Sequence, residues 1–224
     1  MASLPTALVV LVALVAAPAT LVPLSAPDAQ AKTGAIEGRI TMRPEPPSRT
    51  ADRYVNDAGN PMEIPRIPVI VRIEGPVASA APARPSGPLE LVQQAQNFSQ
   101  LMLVVPVGAA VRFPNGDPIF HNVFSYSKPK RFDLGRYRRG ESKTVTFDQG
   151  GYVKVMCEVH KWMRAAVVVV DNPYYAIVPE DGRFRIDGVP AGRHRVLIEH
   201  FDRKSQVVDI DVPEGGSARL DATL

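Results

Sequence analysis

The chain is poor in the residues that staple or anchor a fold. Its 224 residues include one cysteine, Cys157, one tryptophan, Trp162, and four histidines. A lone cysteine excludes an internal disulfide. No segment sustains the 3.6-residue apolar period, which excludes a helical bundle. The formal net charge is only +3, too small to imply a nucleic-acid partner. The first apolar run, residues 7–17, has no Lys or Arg ahead of it and is short for a membrane span.

What the chain does have is β-forming sequence. Valine runs punctuated by 22 prolines and 16 glycines predict an all-β architecture. Residues 34–40, 67–73, 89–92, 102–107, 110–113, 144–147 and 151–157 read as strands, as do 164–170, 184–186, 195–198, 206–212 and 218–224. Residues 43–65 and 126–143 read as polar loops, and 79–88 as a Pro/Ala/Ser linker. The run at 7–17, broken by Pro18 and Pro23 and followed by Ala29-Gln30-Ala31, predicts a signal peptide over residues 1–31. Its removal takes away one Asp, so the mature chain is near +4. The expected location is therefore periplasmic or extracellular. The chain would touch a membrane only if that segment were retained.

In such a compartment the solitary Cys157 is inert, bridges two chains, or carries chemistry. Its neighbours bear on the choice. Gly151-Tyr-Val-Lys-Val-Met-Cys157 alternates, with Val153, Val155 and Cys157 on one face and Tyr152, Lys154 and Met156 on the other. His160 and Met163 follow in Cys157-x-x-His160-x-x-Met163. His121 opens another strand after the turn Asn115-Gly-Asp-Pro118. Brought to one pole of a β-sandwich, His121, Cys157, His160 and Met163 supply two imidazoles, a thiolate and a thioether, which is the ligand set of blue copper. Two competitors are a Cys/His nucleophile pair and a zinc site. Met163 has no role in the first, and structural zinc sites seldom use Met. Alternation points Met156 away from the Cys157 face. His194 and His200 read as structural or surface residues.

Residues 89–171 resemble the cupredoxins, the plastocyanin- and amicyanin-like blue copper domains. The motifs are Asn115-x-Asp117-x-x-x-His121-Asn122-Val123, Gly151-x-Val153-x-Val155-x-Cys157 and Cys157-x-x-His160-x-x-Met163. The resemblance implies a Greek-key β-sandwich holding one type 1 copper on His121, Cys157, His160 and Met163. It implies that Asn122 ties the two ligand loops together and that His160 reaches the surface as the electron exit. Trp162, inside the ligand loop, and the basic segment before Thr144 depart from the family.

Residues 172–224 resemble the second half of a carboxypeptidase regulatory-like, transthyretin-like sandwich, on Asp181-Gly-x-Phe184-x-Ile186 and Val189-Pro-Ala-Gly192. Residues 34–78 resemble its first half, on Gly34-x-Ile-x-Gly38-Arg-Ile40 and Pro68-Val-Ile-Val-x-Ile73-Glu-Gly75. The expectation is one discontinuous domain, 32–78 plus 172–224, with the cupredoxin inserted. The expected function is one-electron transfer by a non-enzymatic carrier serving a redox protein, such as a cytochrome or a dehydrogenase. Lys128, Lys130, Arg131, Arg136, Arg138 and Arg139 are candidates for docking an acidic partner. The alternatives are a copper carrier or sensor, and a non-catalytic binding module of the cell envelope.

Overall fold

The computed structural model describes residues 32–44, 64–77 and 87–224. The expected signal peptide, most of the 43–65 loop and most of the 79–88 linker lie outside the described residues. Those residues contain no helix, and strands carry the whole fold. In chain order the strands are β1 (Thr33–Thr41), β2 (Val69–Ile73), β3 (Gln93–Gln94), β4 (Asn97–Phe98), β5 (Met102–Pro106) and β6 (Ala109–Pro114). There follow β7 (His121–Ser127), β8 (Lys130–Tyr137), β9 (Ser142–Phe147), β10 (Gly151–Cys157), β11 (Arg164–Val170) and β12 (Tyr175–Val178). The last five are β13 (Arg183–Pro190), β14 (Gly192–Glu199), β15 (Gln206–Val212), β16 (Ser217–Arg219) and β17 (Ala222–Thr223).

The middle of the chain forms a five-stranded sheet, ordered β5-β11-β10-β7-β8, and the ribbon β6-β9. Phe113, Phe147, Val111, Val153, Val155 and Val167 fill the space between them. Burying one such side chain contributes roughly 1.5–3 kcal/mol. Residues 89–92 form no full strand. Only Glu90 bridges to Arg112, and Gln93 to Asn115.

The two ends of the chain build a second core between two further sheets. One is ordered β13-β1-β16, with β17 also on β1, and the other β12-β2-β14-β15. Ile36, Val71, Ile73, Val196 and Ile198 meet there. On the opposite face of the paired strands β2 and β14, Arg72 donates from Nε to Glu199 Oε2 at 2.8 Å, with side chains 5% and 9% exposed.

The strand Arg164–Val170 is apolar at every position after its first because both its faces are covered. Ala165, Val167 and Val169 enter the middle core. Ala166, Val168 and Val170 join Ile67, Ile70, Met102 and Phe201 in a third cluster, against which Tyr152 and Met156 also pack. That cluster joins residues of the middle segment to residues of the flanking ones. It confirms that Met156 points away from the Cys157 face.

Residues 126–143 are not a loop: they contain β8 and the start of β9. Phe132 and Leu134 pack against the middle core, while Arg131, Asp133 and Gly135 are exposed. The alternation is real, but the charges between the two apolar residues conceal it.

Candidate metal centre

The ligand-bearing segments are held by short-range bonds. Asn115 is buried and fixes the turn ahead of β7. Its Oδ1 accepts from the Asp117 N–H at 2.9 Å, and its Nδ2 donates to the carbonyls of Ile119 (2.9 Å) and Tyr137 (3.0 Å). His121 therefore starts β7 from a rigid base. In the β10–β7 ladder Cys157 faces Val123, so His121 lies just beyond the end of β10, on the side of the Cys157 loop. That loop closes on itself: the Cys157 N–H donates to the Met163 carbonyl at 3.2 Å, and the Met163 N–H to the His160 carbonyl at 2.9 Å.

Three donor atoms converge there. Nδ1 of His121 and Nδ1 of His160 are 3.0 Å apart, and Cys157 Sγ lies 3.7 Å from the first and 3.9 Å from the second. Ligands held about 2.0–2.3 Å from one ion are separated by about 3.3–3.8 Å at tetrahedral to trigonal angles. The two sulfur edges lie at the top of that range, and the 3.0 Å nitrogen edge closes to a narrower N–metal–N angle of roughly 95°, so the triangle encloses room for one metal ion. All three residues are buried. Met163 is fully buried in the same apolar cluster as Cys157, Phe113 and Trp162. A closed site with a thiolate and two imidazoles, and with Met163 buried at the end of the same loop, suits a soft transition metal.

Electrostatics favour the thiolate of Cys157 and the ionised Asp117, and in the metal-free site they also favour the proton on His121 that a metal would have to displace. Burial pushes the Cys157 thiol up, but the contact with His121 and the backbone N–H groups of His160, Asn122 and Val159 outweigh it and hold the thiol below its ordinary value. Burial pushes His121 down, whereas the Cys157 sulfur and the Asp117 carboxylate hold it above. Burial also works against ionised Asp117. The N–H of Gln96, the His121 ring and the N–H of Ala95 overcome it and keep that carboxyl below the usual range.

Asp117 is the residue that sequence reasoning left without a role. Its Oδ2 sits 2.7 Å from His121 Nε2, the kind of carboxylate partner that orients a metal-binding imidazole. It also accepts from the N–H groups of Ala95 (2.6 Å) and Gln96 (2.9 Å). These are the two central residues of the β3–β4 turn, at φ 52° and 55°. Left-handed backbone there costs roughly 1–2 kcal/mol per non-glycine residue. Asn-Gly is the usual sequence for such a turn, so Ala-Gln gave no signal.

Trp162 finds its place on the far side. Its ring lies 5.2 Å from that of His160, and its Nε1–H donates to the Gln96 carbonyl at 3.0 Å. His160 is only 8% exposed, so it does not project from the surface as the resemblance implied. Asn122 also differs from expectation: its side chain donates to Asp133 Oδ1 at 2.6 Å, on β8, rather than to the ligand loop. Its backbone N–H serves the Cys157 sulfur instead. His194 bonds the Pro190 carbonyl and His200 accepts from the Asp202 N–H, away from the donor triangle.

The six docking candidates separate along the β7–β8 hairpin. Arg136 is paired with Asn122, next to His121, and Arg138 and Arg139 follow just beyond it. Lys130 and Arg131 pair with Ser127 and Tyr126 at the other end, and Lys128 lies in the turn. Six residue steps put that end about 20 Å from His121. Arg136, Arg138 and Lys130 also have acidic partners in Glu158, Glu141 and Asp148.

No family profile matches the chain, and no curated protein sequence does. Among solved structures it is similar to a purple cupredoxin from Nitrosopumilus maritimus, at 26% identity over 37% of this chain and 99% of that one, with a TM-score of 0.34. It is similar to a copper-containing nitrite reductase from Thermus scotoductus, at 25% identity and a TM-score of 0.36, covering 42% of this chain but 25% of the reductase. An amicyanin variant in its Cu(I) form matches at 20% identity over 45% of this chain and 98% of its own, with a TM-score of 0.36.

Proposed function

We propose that this is an exported type 1 copper protein that passes one electron at a time between redox partners. The observation that carries the reading is the buried triangle of His121 Nδ1, His160 Nδ1 and Cys157 Sγ, with Met163 closing the same loop. Bound copper would supply a Cu(II)/Cu(I) couple. The chain supplies the rest. Asp117 keeps the proton of His121 on Nε2, which leaves the Nδ1 lone pair for the metal. The N–H groups around Cys157 favour the thiolate. Phe113, Met163 and Trp162 exclude water. Ligands fixed by backbone bonds move little on a change of charge, which keeps transfer fast.

The enclosure of His160 favours a carrier of electrons over a carrier of copper, because a donor of metal must offer its ligands for exchange. We further propose that residues 32–78 and 172–224 form one discontinuous unit, a binding or spacing module of the regulatory-like type. Residues 1–31 would direct export to the periplasm or the cell exterior.

The test is visible absorption of the purified protein with Cu(II). An intense thiolate-to-copper band is expected, absent in Cys157→Ser and His121→Ala. Absence of that band from the wild type, with no thermal shift on adding copper, would overturn the reading, since a ligand of the native state raises its stability. A reversible midpoint potential and rapid exchange with a cytochrome then distinguish electron transfer from copper carriage.

A further inference from the structure

We propose that the β3–β4 hairpin, Gln93–Phe98, is a clamp that positions both ligand loops, with Asp117 and Trp162 as its two jaws. The hairpin contains no donor to the metal. It nevertheless reaches each ligand segment through one side chain. On one side, the Ala95 and Gln96 N–H groups hold the Asp117 carboxylate, and Asp117 Oδ2 holds His121 Nε2. On the other, the Gln96 carbonyl holds the indole N–H of Trp162, whose ring packs on His160.

The geometry makes this a deliberate contact rather than an incidental one. A two-residue turn with positive φ at both Ala95 and Gln96 is unfavourable for those residues. That conformation directs two consecutive N–H groups at one carboxylate and leaves the next carbonyl for the indole. The turn is also pinned from within, at its base and from the β6–β7 turn. Asn97 Nδ2 donates to the Ala95 carbonyl at 3.2 Å, Val92 N–H to Ser99 Oγ at 3.1 Å, and Gly116 N–H to the Gln93 carbonyl at 2.8 Å. Asp117 Oδ2 accepts from both Gln96 and His121. The set of the turn therefore fixes the plane and tautomer of the imidazole. Asp117 and Trp162 are positioning residues, and His121 and His160 are what they position. Asparagine at 117 presents one acceptor where the carboxylate presents two, so it cannot hold Ala95, Gln96 and His121 together. Phenylalanine at 162 keeps the ring on His160 and removes the donor to Gln96.

The copper readout of this proposal rests on the function proposed above, and the metal-free readouts do not. In the metal-free wild type, NMR should show a slowly exchanging His121 Nε2–H proton and slowly exchanging Ala95 and Gln96 amides. Asp117→Asn should lose that protection and, where copper binds, weaken affinity about 10- to 100-fold with a shifted visible band. Trp162→Phe should speed exchange of the Ala95 and Gln96 amides while the fold's thermal midpoint stays near wild type. A folded Asp117→Asn that keeps the protected proton, the copper affinity and the band would overturn the proposal. If Asp117→Asn does not fold, Trp162→Phe decides: hairpin amides that exchange as in wild type overturn the clamp. A wild type that binds no copper removes the metal function, while the proton and amide measurements still decide whether the hairpin couples the two loops.

Discussion

The indole of Trp162 lies against the imidazole of His160, ring centroids 5.2 Å apart and planes tilted by 59°. Trp162 is the only tryptophan in the chain, so its emission reports on one place. Cu(II) bound at His160 should quench most of the intrinsic fluorescence at one equivalent. Cys157→Ser should shift the quenching curve to much higher copper concentrations. A titration in which emission stays constant while copper is taken up would show that the ion binds elsewhere.

Acid should weaken the metal-free protein in a way traceable to Asp117. Its folded-state pKa lies below the ordinary 3.8. A depressed carboxylate contributes stability that is complete above its unfolded value and lost as pH falls through the folded one. The unfolding midpoint should therefore drop below about pH 4, and Asp117→Asn should flatten that limb. Urea denaturation of the two metal-free proteins between neutral and acid pH provides the comparison.

Arg72 and Glu199 form a buried ion pair between strands β2 and β14, on the face turned away from the flanking core. Removing one partner leaves an uncompensated charge, and Arg72→Ala or Glu199→Ala should each destabilise by about 3–5 kcal/mol. Replacing both with apolar residues of similar volume should recover most of that loss. Chemical denaturation of the single and double variants measures the coupling. Additive losses would remove the pair from the account of the fold.

Charge reversal should act differently at the two ends of the β7–β8 hairpin. Arg136, Arg138 and Arg139 neighbour the site, while Lys128, Lys130 and Arg131 lie about 20 Å along the strands, beyond the roughly 8 Å screening length of physiological salt. Substituting the first three with Glu should slow electron exchange with an acidic cytochrome severalfold and reverse its salt dependence. The second three should matter far less. Stopped-flow rates over a range of ionic strength test this, and equal effects from both triples would contradict it.

The parts of the site legible in the sequence are those set by local spacing. Cys157, His160 and Met163 lie within seven residues, and the strict alternation of Gly151–Cys157 assigns each side chain a face. His121 was legible because a turn of Asn, Gly, Asp and Pro ends where a strand must begin. Asp117 was visible as part of that turn, but its role was not. That role depends on Ala95 and Gln96 arriving from another hairpin, in a conformation their side chains do not advertise. Lys130–Tyr137 was hidden for another reason: a strand whose outward positions carry Arg and Asp, and whose turn carries Lys128 and Pro129, has the composition of a loop. The burial of His160 follows from Trp162 folding over it, a contact that no spacing encodes.

Strand β10 is a party wall. Cys157, Val155 and Val153 face the ligand side, and Met156 and Tyr152 lean on Ile67, Ile70 and Phe201 from the flanking segments. A lineage that shed those segments would have to repolarise Met102, Ala166, Val168 and Tyr152 together. A substitution on one side of the wall is therefore felt on the other through the strand they share.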